Sequence, residues 1–295
     1  RGAMADSLRI PIALLRQVRD VLADPSLAAS LGQGASATVR SLRTQLLEAD
    51  AARSPLWVER SLRRRILTTS APYAGVREAS RMLGGRINTG FVTAVAQAAG
   101  DYHSRLGAPV ESLRASMAVS TRTEDSGANA FTLVRMLVPT GEMPFAERFA
   151  AVNEAVEAAR TRDEQGSLDA IAGLAAFLPT SVVTRIARAQ AETVDFATSN
   201  VRGAGVPLYV AGALMLSNHP VGPLAGVAVN VTLMSYMGNL DVGIHVDEAA
   251  VREPELLREC VDGAFGELCT FAPTRDGEGS STRPKRRWRR RRARD

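Results

Sequence analysis

Gly226-Val227-Ala228-Val229-Asn230-Val231-Thr232-Leu233-Met234-Ser235-Tyr236-Met237-Gly238-Asn239-Leu240-Asp241-Val242-Gly243-Ile244-His245-Val246-Asp247 is the stretch on which the fold turns. Two runs of alternating apolar residues flank Met237-Gly238-Asn239-Leu240, the pattern of a β-hairpin closed by a two-residue turn. The expected register sets Tyr236 opposite Asp241, Met234 opposite Gly243, Thr232 opposite His245 and Asn230 opposite Asp247. One face is then Val227, Val229, Val231, Leu233, Val242, Ile244 and Val246, a core face. The other carries Asn230, Thr232, Tyr236, Asp241, His245 and Asp247, for which solvent is the expected neighbour and a cleft the alternative.

Working outward, further strands are expected at Arg65–Thr69, Ser112–Ser120, Asn129–Val138, Asp195–Asn200 and Tyr209–Leu216. Helices are expected at Tyr73–Leu83, Thr89–Leu106, Pro144–Arg160, Ser167–Phe177, Thr180–Ala189 and Pro254–Leu268, with Asn88 capping the second. Thr121–Ala128 reads as a polar linker. Residues 8–23 and a short piece around Val39–Leu47 are helical candidates in an Ala-, Ser-, Gly- and Arg-rich region. Helices and strands alternate without strict order, which argues an α+β fold with a mixed sheet flanked by helices. The expected division is a linker helix and connecting segment over 1–59, a folded domain over 60–271 and a disordered Arg-rich tail over 272–295.

The 295 residues are 45% hydrophobic and 23% charged, which excludes a mostly disordered chain. No run approaches the ~18 apolar residues of a spanning helix. The net charge of +5 conceals a division. Residues 272–295 hold ten Lys/Arg against three Asp/Glu, a balance of +7, which leaves −2 for the rest. Cys260 and Cys269, nine residues apart on one expected helix, face opposite ways. They read as reduced thiols of a cytosolic protein.

The three histidines offer little conventional chemistry. His103, near a helix C-terminus, reads as a surface or capping residue. His219 stands in a loop and His245 beside Asp241 and Asp247; both are weaker alternatives for a general base. No Cys/His cluster suggests a metal, and neither a Gly-x-Ser-x-Gly elbow nor a Walker loop occurs.

Several motifs follow one another in a recognisable order. Asp195-Phe196-Ala197-Thr198-Ser199-Asn200-Val201-Arg202-Gly203 is similar to Phe-Asn-x-x-x-Ser-Asn-Val-Pro-Gly of the bacterial wax ester synthase/diacylglycerol acyltransferase family. Pro207-Leu208-Tyr209 and Ala211-Gly212-Ala213 follow. His219-Pro220-Val221-Gly222-Pro223-Leu224 resembles that family's Tyr-Pro-Val-Ser-Pro-Leu. Asn230-Val231-Thr232 and Ser235-Tyr236-x-Gly238-x-Leu240 resemble its Leu-Asn-Ile-Thr-Val-x-Ser-Tyr-x-Gly-x-Leu. Upstream, Gly85-Arg86-Ile87-Asn88-Thr89 is similar to Gly-x-x-Val-Asn-Asp. The resemblance runs from about residue 60 to 271. Thr89, Arg202 and His219 depart from it, and the family's His-His-x-x-x-Asp-Gly is absent. Ser54-Pro55-Leu56-Trp57 spells the family's Pro-Leu-Trp out of place, and nothing is carried over from it.

The resemblance implies the second half of a CoA-dependent acyltransferase fold, of the chloramphenicol acetyltransferase kind. It implies the C-terminal domain of an O-acyltransferase that makes triacylglycerol or wax ester from diacylglycerol or a long-chain alcohol. Acyl-CoA would be the co-substrate, with no other cofactor and no metal. The catalytic histidines would lie in an N-terminal half, leaving none in this chain. Asn88, Ser199, Asn200, Asn230 and Thr232 are the expected substrate-binding residues. The competing reading is a non-catalytic lipid- or acyl-CoA-binding scaffold.

Pro284–Asp295 packs eight Lys/Arg around one aromatic, in the run Lys285-Arg286-Arg287-Trp288-Arg289 and onward. Three readings are open: an inert extension, an anionic membrane or lipid-droplet surface, and nucleic acid. The membrane is favoured over nucleic acid, because an enzyme of lipid substrates needs access to lipid. The expected location is cytoplasmic, or peripheral on the inner membrane face or lipid inclusions.

Overall fold

Met237 and Gly238 make the turn of the hairpin, with φ of 46° and 84°. Both central residues are left-handed, the geometry that matches the twist of the flanking strands. The structure, a computed structural model, describes residues 54–120, 131–161 and 193–273. The expected linker Thr121–Ala128, the helices at 8–23, 39–47, 167–177 and 180–189, and the tail residues Lys285, Arg286, Arg287, Trp288 and Arg289 lie outside them.

The turn corrects the expected register. Strand β7 (Val229–Tyr236) and strand β8 (Asn239–Asp247) pair with Tyr236 opposite Asn239, Met234 opposite Asp241, Thr232 opposite Gly243 and Asn230 opposite His245. Glycine and asparagine favour positive φ and suggested a turn centred on Gly238-Asn239. Met237 takes that conformation instead, and each pairing moves by two residues. A shift of two preserves the faces. Val229, Val231, Leu233, Val242, Ile244 and Val246 are all buried in the core, as their alternation demands.

Ten further elements complete the described chain. They are β1 (Arg64–Pro72), α1 (Tyr73–Met82), α2 (Ile87–Arg105), β2 (Ser112–Ser120), β3 (Phe131–Pro139), α3 (Phe145–Thr161), β4 (Phe196–Val201), the short β5 (Tyr209–Val210) and β6 (Ala213–Leu214), and α4 (Pro254–Thr270). The main sheet has the order β1-β8-β7-β4-β2-β3. β4 runs parallel to both β7 and β2, while the other neighbours are antiparallel. The expected mixed sheet is therefore present. Tyr209–Leu216 is not one strand but a small separate hairpin, β5–β6. Ala211 and Gly212, both at positive φ, reverse the chain in its middle.

Helices cover one face of the sheet. α2 is the central one; Ala94, Ala96, Ala98 and Ala99 are buried, and small side chains let it lie close against its neighbours. It packs between α3 and α4. Phe91 stacks on Phe265 of α4, with ring centroids 6.4 Å apart. Two expectations fail on this side of the molecule. His103 is not at the surface: it is fully buried on the inward side of α2. Ser54 and Trp57, placed by sequence in a connecting segment, are buried, and Trp57 meets His103, Tyr102 and Phe196 in the core.

Candidate functional site

β7 and β8 place Asn230, Thr232, Tyr236, Asp241, His245 and Asp247 on the sheet face that the helices leave uncovered. Solvent was their expected neighbour, yet Asn230, Thr232, Tyr236, Asp241 and Asp247 are all buried. The chain itself covers much of this face. Residues 206–216 form a hairpin arm, and residues 217–224 run back across β8 and β7 as a strap.

Strap and arm are held by side chains of the motif-bearing strands. The Tyr236 hydroxyl accepts the N–H of Leu208 at 2.9 Å and donates to the Met215 carbonyl at 3.0 Å, joining both legs of the arm at its base. Asp241 accepts the N–H of Asn218 at 2.6 Å and, through its other oxygen, the Ser70 hydroxyl at 2.9 Å. His219 Nδ1 donates to the Val242 carbonyl at 3.3 Å. His245 Nδ1 donates to the Gly222 carbonyl at 2.8 Å, and the Asn230 amide donates to the Pro223 carbonyl at 2.7 Å. Thr232 donates its hydroxyl to Asn230 Oδ1 at 2.8 Å, fixing the amide's orientation.

Two glycines permit this seating. A Cβ on Gly243 would run into the carbonyl of Pro220. A Cβ on Gly222 would stand 2.5 Å from Thr232 Oγ1 and 2.6 Å from Asn230 Oδ1. At the far end of β8, burial pushes the Asp247 carboxyl up, but the hydroxyl and N–H of Ser61, the N–H of Ala249 and the Arg64 guanidinium outweigh it. They hold the carboxyl below its usual range.

The expected substrate-binding residues fall into two groups. Ser199 pairs in register with Thr232 on the uncovered face. It is half-buried, and its hydroxyl has no hydrogen-bond partner among the described residues. Asn200, next in the strand, points to the helix side and donates its amide to Asn88 Oδ1. Asn88 does not cap α2. The N-cap position is Arg86, without a side-chain bond, so Asn88 lies within the first turn and meets β4 instead. The structure thus brings Asn88 to Asn200 on one side of β4 and sets Ser199 opposite Thr232 on the other, while His245 lies one strand further, opposite Asn230. Sequence reasoning missed the roles of Tyr236 and Asp241. Their signal was present: buried polar positions on a hairpin imply a partner, and the Pro- and Gly-rich segment just upstream was available to be it. Among the described residues, no three His, Cys, Asp or Glu side chains gather as metal ligands would, and no helix is long and apolar enough to cross a membrane.

Comparison with known proteins places these features. Residues 127–269 match a family model described as the WS/DGAT C-terminal domain. A Mycobacterium tuberculosis H37Rv protein named as a diacylglycerol O-acyltransferase is 31% identical over 226 residues, 74% of this chain and 45% of its own length. Another so named, from strain CDC 1551, is 30% identical over 178 residues, 54% of this chain and 36% of its own. The wax ester synthase/diacylglycerol acyltransferase of Marinobacter aquaeolei VT8 shares the fold at TM-score 0.59 and 19% identity, over 84% of this chain and 58% of that one. A condensation-domain structure from the enacyloxin polyketide synthase matches at TM-score 0.53 and 12% identity, over 90% of this chain and 51% of that one. At such identities the structures show the fold alone. This chain spans about half the length of the curated relatives it matches.

Proposed function

Since residues 127–269 carry a WS/DGAT C-terminal domain, we propose that this chain is the C-terminal half of an acyl-CoA-dependent O-acyltransferase acting on diacylglycerol or a long-chain alcohol. The observation that carries the reading is that domain together with the ordered motifs from Gly85 to Leu240. In the reaction an acceptor hydroxyl oxygen attacks the thioester carbonyl while a base takes its proton. The oxyanion collapses, the C–S bond breaks, and the CoA thiolate leaves and is protonated. The base belongs to an N-terminal half bearing His-His-x-x-x-Asp-Gly. Ser199 has a hydroxyl without a hydrogen-bond partner among the described residues, and Asn200 with Asn88 offers amide groups at the end of β4.

The same reading explains an apolar surface. Val206, Tyr209, Val210, Leu214, Leu216 and Val221 are all exposed on the arm and strap. A two-stranded hairpin of this size is marginal on its own, and a surface so apolar marks a contact. Its partner is the N-terminal half. The basic tail, at ~1 kcal/mol per basic residue near an anionic bilayer, would bring the enzyme to its lipid substrates.

The test is CoA release from palmitoyl-CoA and diacylglycerol. The isolated chain gives the background rate, and co-expression with the coding sequence upstream of Arg1 restores turnover. Turnover by the isolated chain that is lost in His219→Ala or His245→Ala would overturn the reading and move the base into this half.

A further inference from the structure

Asn230, Thr232 and His245 would be natural ligands for a polar substrate group if their face were open. It is not open. The Asn230 amide and the His245 Nδ1–H each donate to one of two consecutive carbonyls of the strap, those of Pro223 and Gly222, at 2.7 and 2.8 Å. The Thr232 hydroxyl is spent on Asn230. Gly222 lies so close that a methyl group would reach all three polar atoms of Thr232 and Asn230, at 2.5 to 2.8 Å. Nothing larger than the bare backbone fits between strap and sheet at this point. Upstream, Asn218 and Pro220 come down on Asp241 and Gly243, so the strap is seated along its length rather than at one contact.

We infer that Asn230 and His245 are positioning residues that clamp the strap through Gly222 and Pro223. The surface this half offers to substrate on that face is then at Ser199, and not at Asn230 and Thr232. The assignment of a substrate surface rests on the acyltransferase reading; the clamp does not. Donors already bonded to the strap's carbonyls, that of the buried Asn230 above all, are costly to redirect to a ligand. Ser199, one strand away and opposite Thr232, makes no side-chain hydrogen bond among the described residues.

Hydrogen exchange read by mass spectrometry on the full 295-residue chain tests the clamp without any ligand. Within the peptide spanning 217–224 the Asn218 N–H, held by Asp241, is the reporter and is expected to be protected in the parent chain. In His245→Ala it exchanges about tenfold faster while β8 peptides keep their protection, the pattern of local opening. His245→Asn, whose amide nitrogen can occupy the place of Nδ1, restores the parental rate. Gly222→Ala releases the same peptide by pushing the strap off. An unprotected strap in the parent, or release in neither His245→Ala nor Gly222→Ala, would overturn the clamp. Should His245→Ala fail to fold, the parent pattern and Gly222→Ala still decide it. Palmitoyl-CoA added to isotope-labelled chain is expected to leave the Asn230 side-chain amide resonance in place. A shift of that resonance would return Asn230 to substrate binding.

Discussion

The Ser54 hydroxyl stands 2.5 Å from His103 Nε2 in the middle of the core. His103 Nδ1 faces the Ala99 carbonyl at 2.7 Å, and a carbonyl can only accept, so Nδ1 carries the proton. Nε2 is then the acceptor and Ser54 the donor. The Ser54 oxygen in turn accepts the N–H of Trp57 at 2.9 Å, while the N–H of Ser54 is held by Asp195 at 2.7 Å. One serine thereby ties the segment entering the domain to α2 and to the start of β4.

This pairing predicts a pH dependence. Burial lowers the His103 pKa, and the bond to Ala99 only partly opposes it. The neutral ring is therefore favoured in the folded state, and the unfolded chain binds the proton more readily. Stability from this site is present above the unfolded pKa of ~6.5 and is lost as pH falls below it. Urea unfolding at pH 7.5 and 5.5 should show lower stability at the acid end. Part of that difference should vanish in His103→Leu, and an unchanged difference would count against His103 as its source.

Ser54→Ala removes the donor and leaves a buried ring nitrogen unpaired. The expected cost is about 1–3 kcal/mol. Trp57→Ala empties a larger volume beside the same ring, at about 3–5 kcal/mol. Denaturant midpoints at constant slope check both.

Met237 occupies a left-handed position that its side chain does not favour. Met237→Asn would supply the Asn-Gly pair that such turns prefer and should stabilise the chain by about 0.5–1 kcal/mol. A loss of stability would mean that the exposed methionine makes contacts worth more than the strain.

Val210→Asp with Leu216→Asp should reduce self-association of the isolated chain, read by sedimentation velocity, with little change in melting temperature. Both residues are exposed and contribute no core packing. A large fall in melting temperature would show that the arm supports the fold itself.

Removing residues 277–295 should abolish co-sedimentation with anionic liposomes at low salt and leave neutral liposomes unbound throughout. Equal binding by both chains would take the tail out of the mechanism. Tighter binding of the full chain to RNA than to liposomes would reverse the preference for a membrane.

Alternation and motif order by themselves determined the mixed sheet, most element positions and the family resemblance. Period-two patterning is local: Val229 to Leu233 and Val242 to Val246 each declare a buried face whatever stands opposite. The faces of the hairpin survived a register error for the same reason. What the tertiary structure alone decided was what covers those faces. Asn230, Asp241 and His245 read as solvent-facing because their partners, the backbone groups of Asn218, Gly222 and Pro223, have no signature in side-chain composition. His103 read as a surface residue because the serine that satisfies it lies forty-nine positions away. A buried polar side chain is recognisable only through the distant group that bonds it, and the folded chain brings that group near.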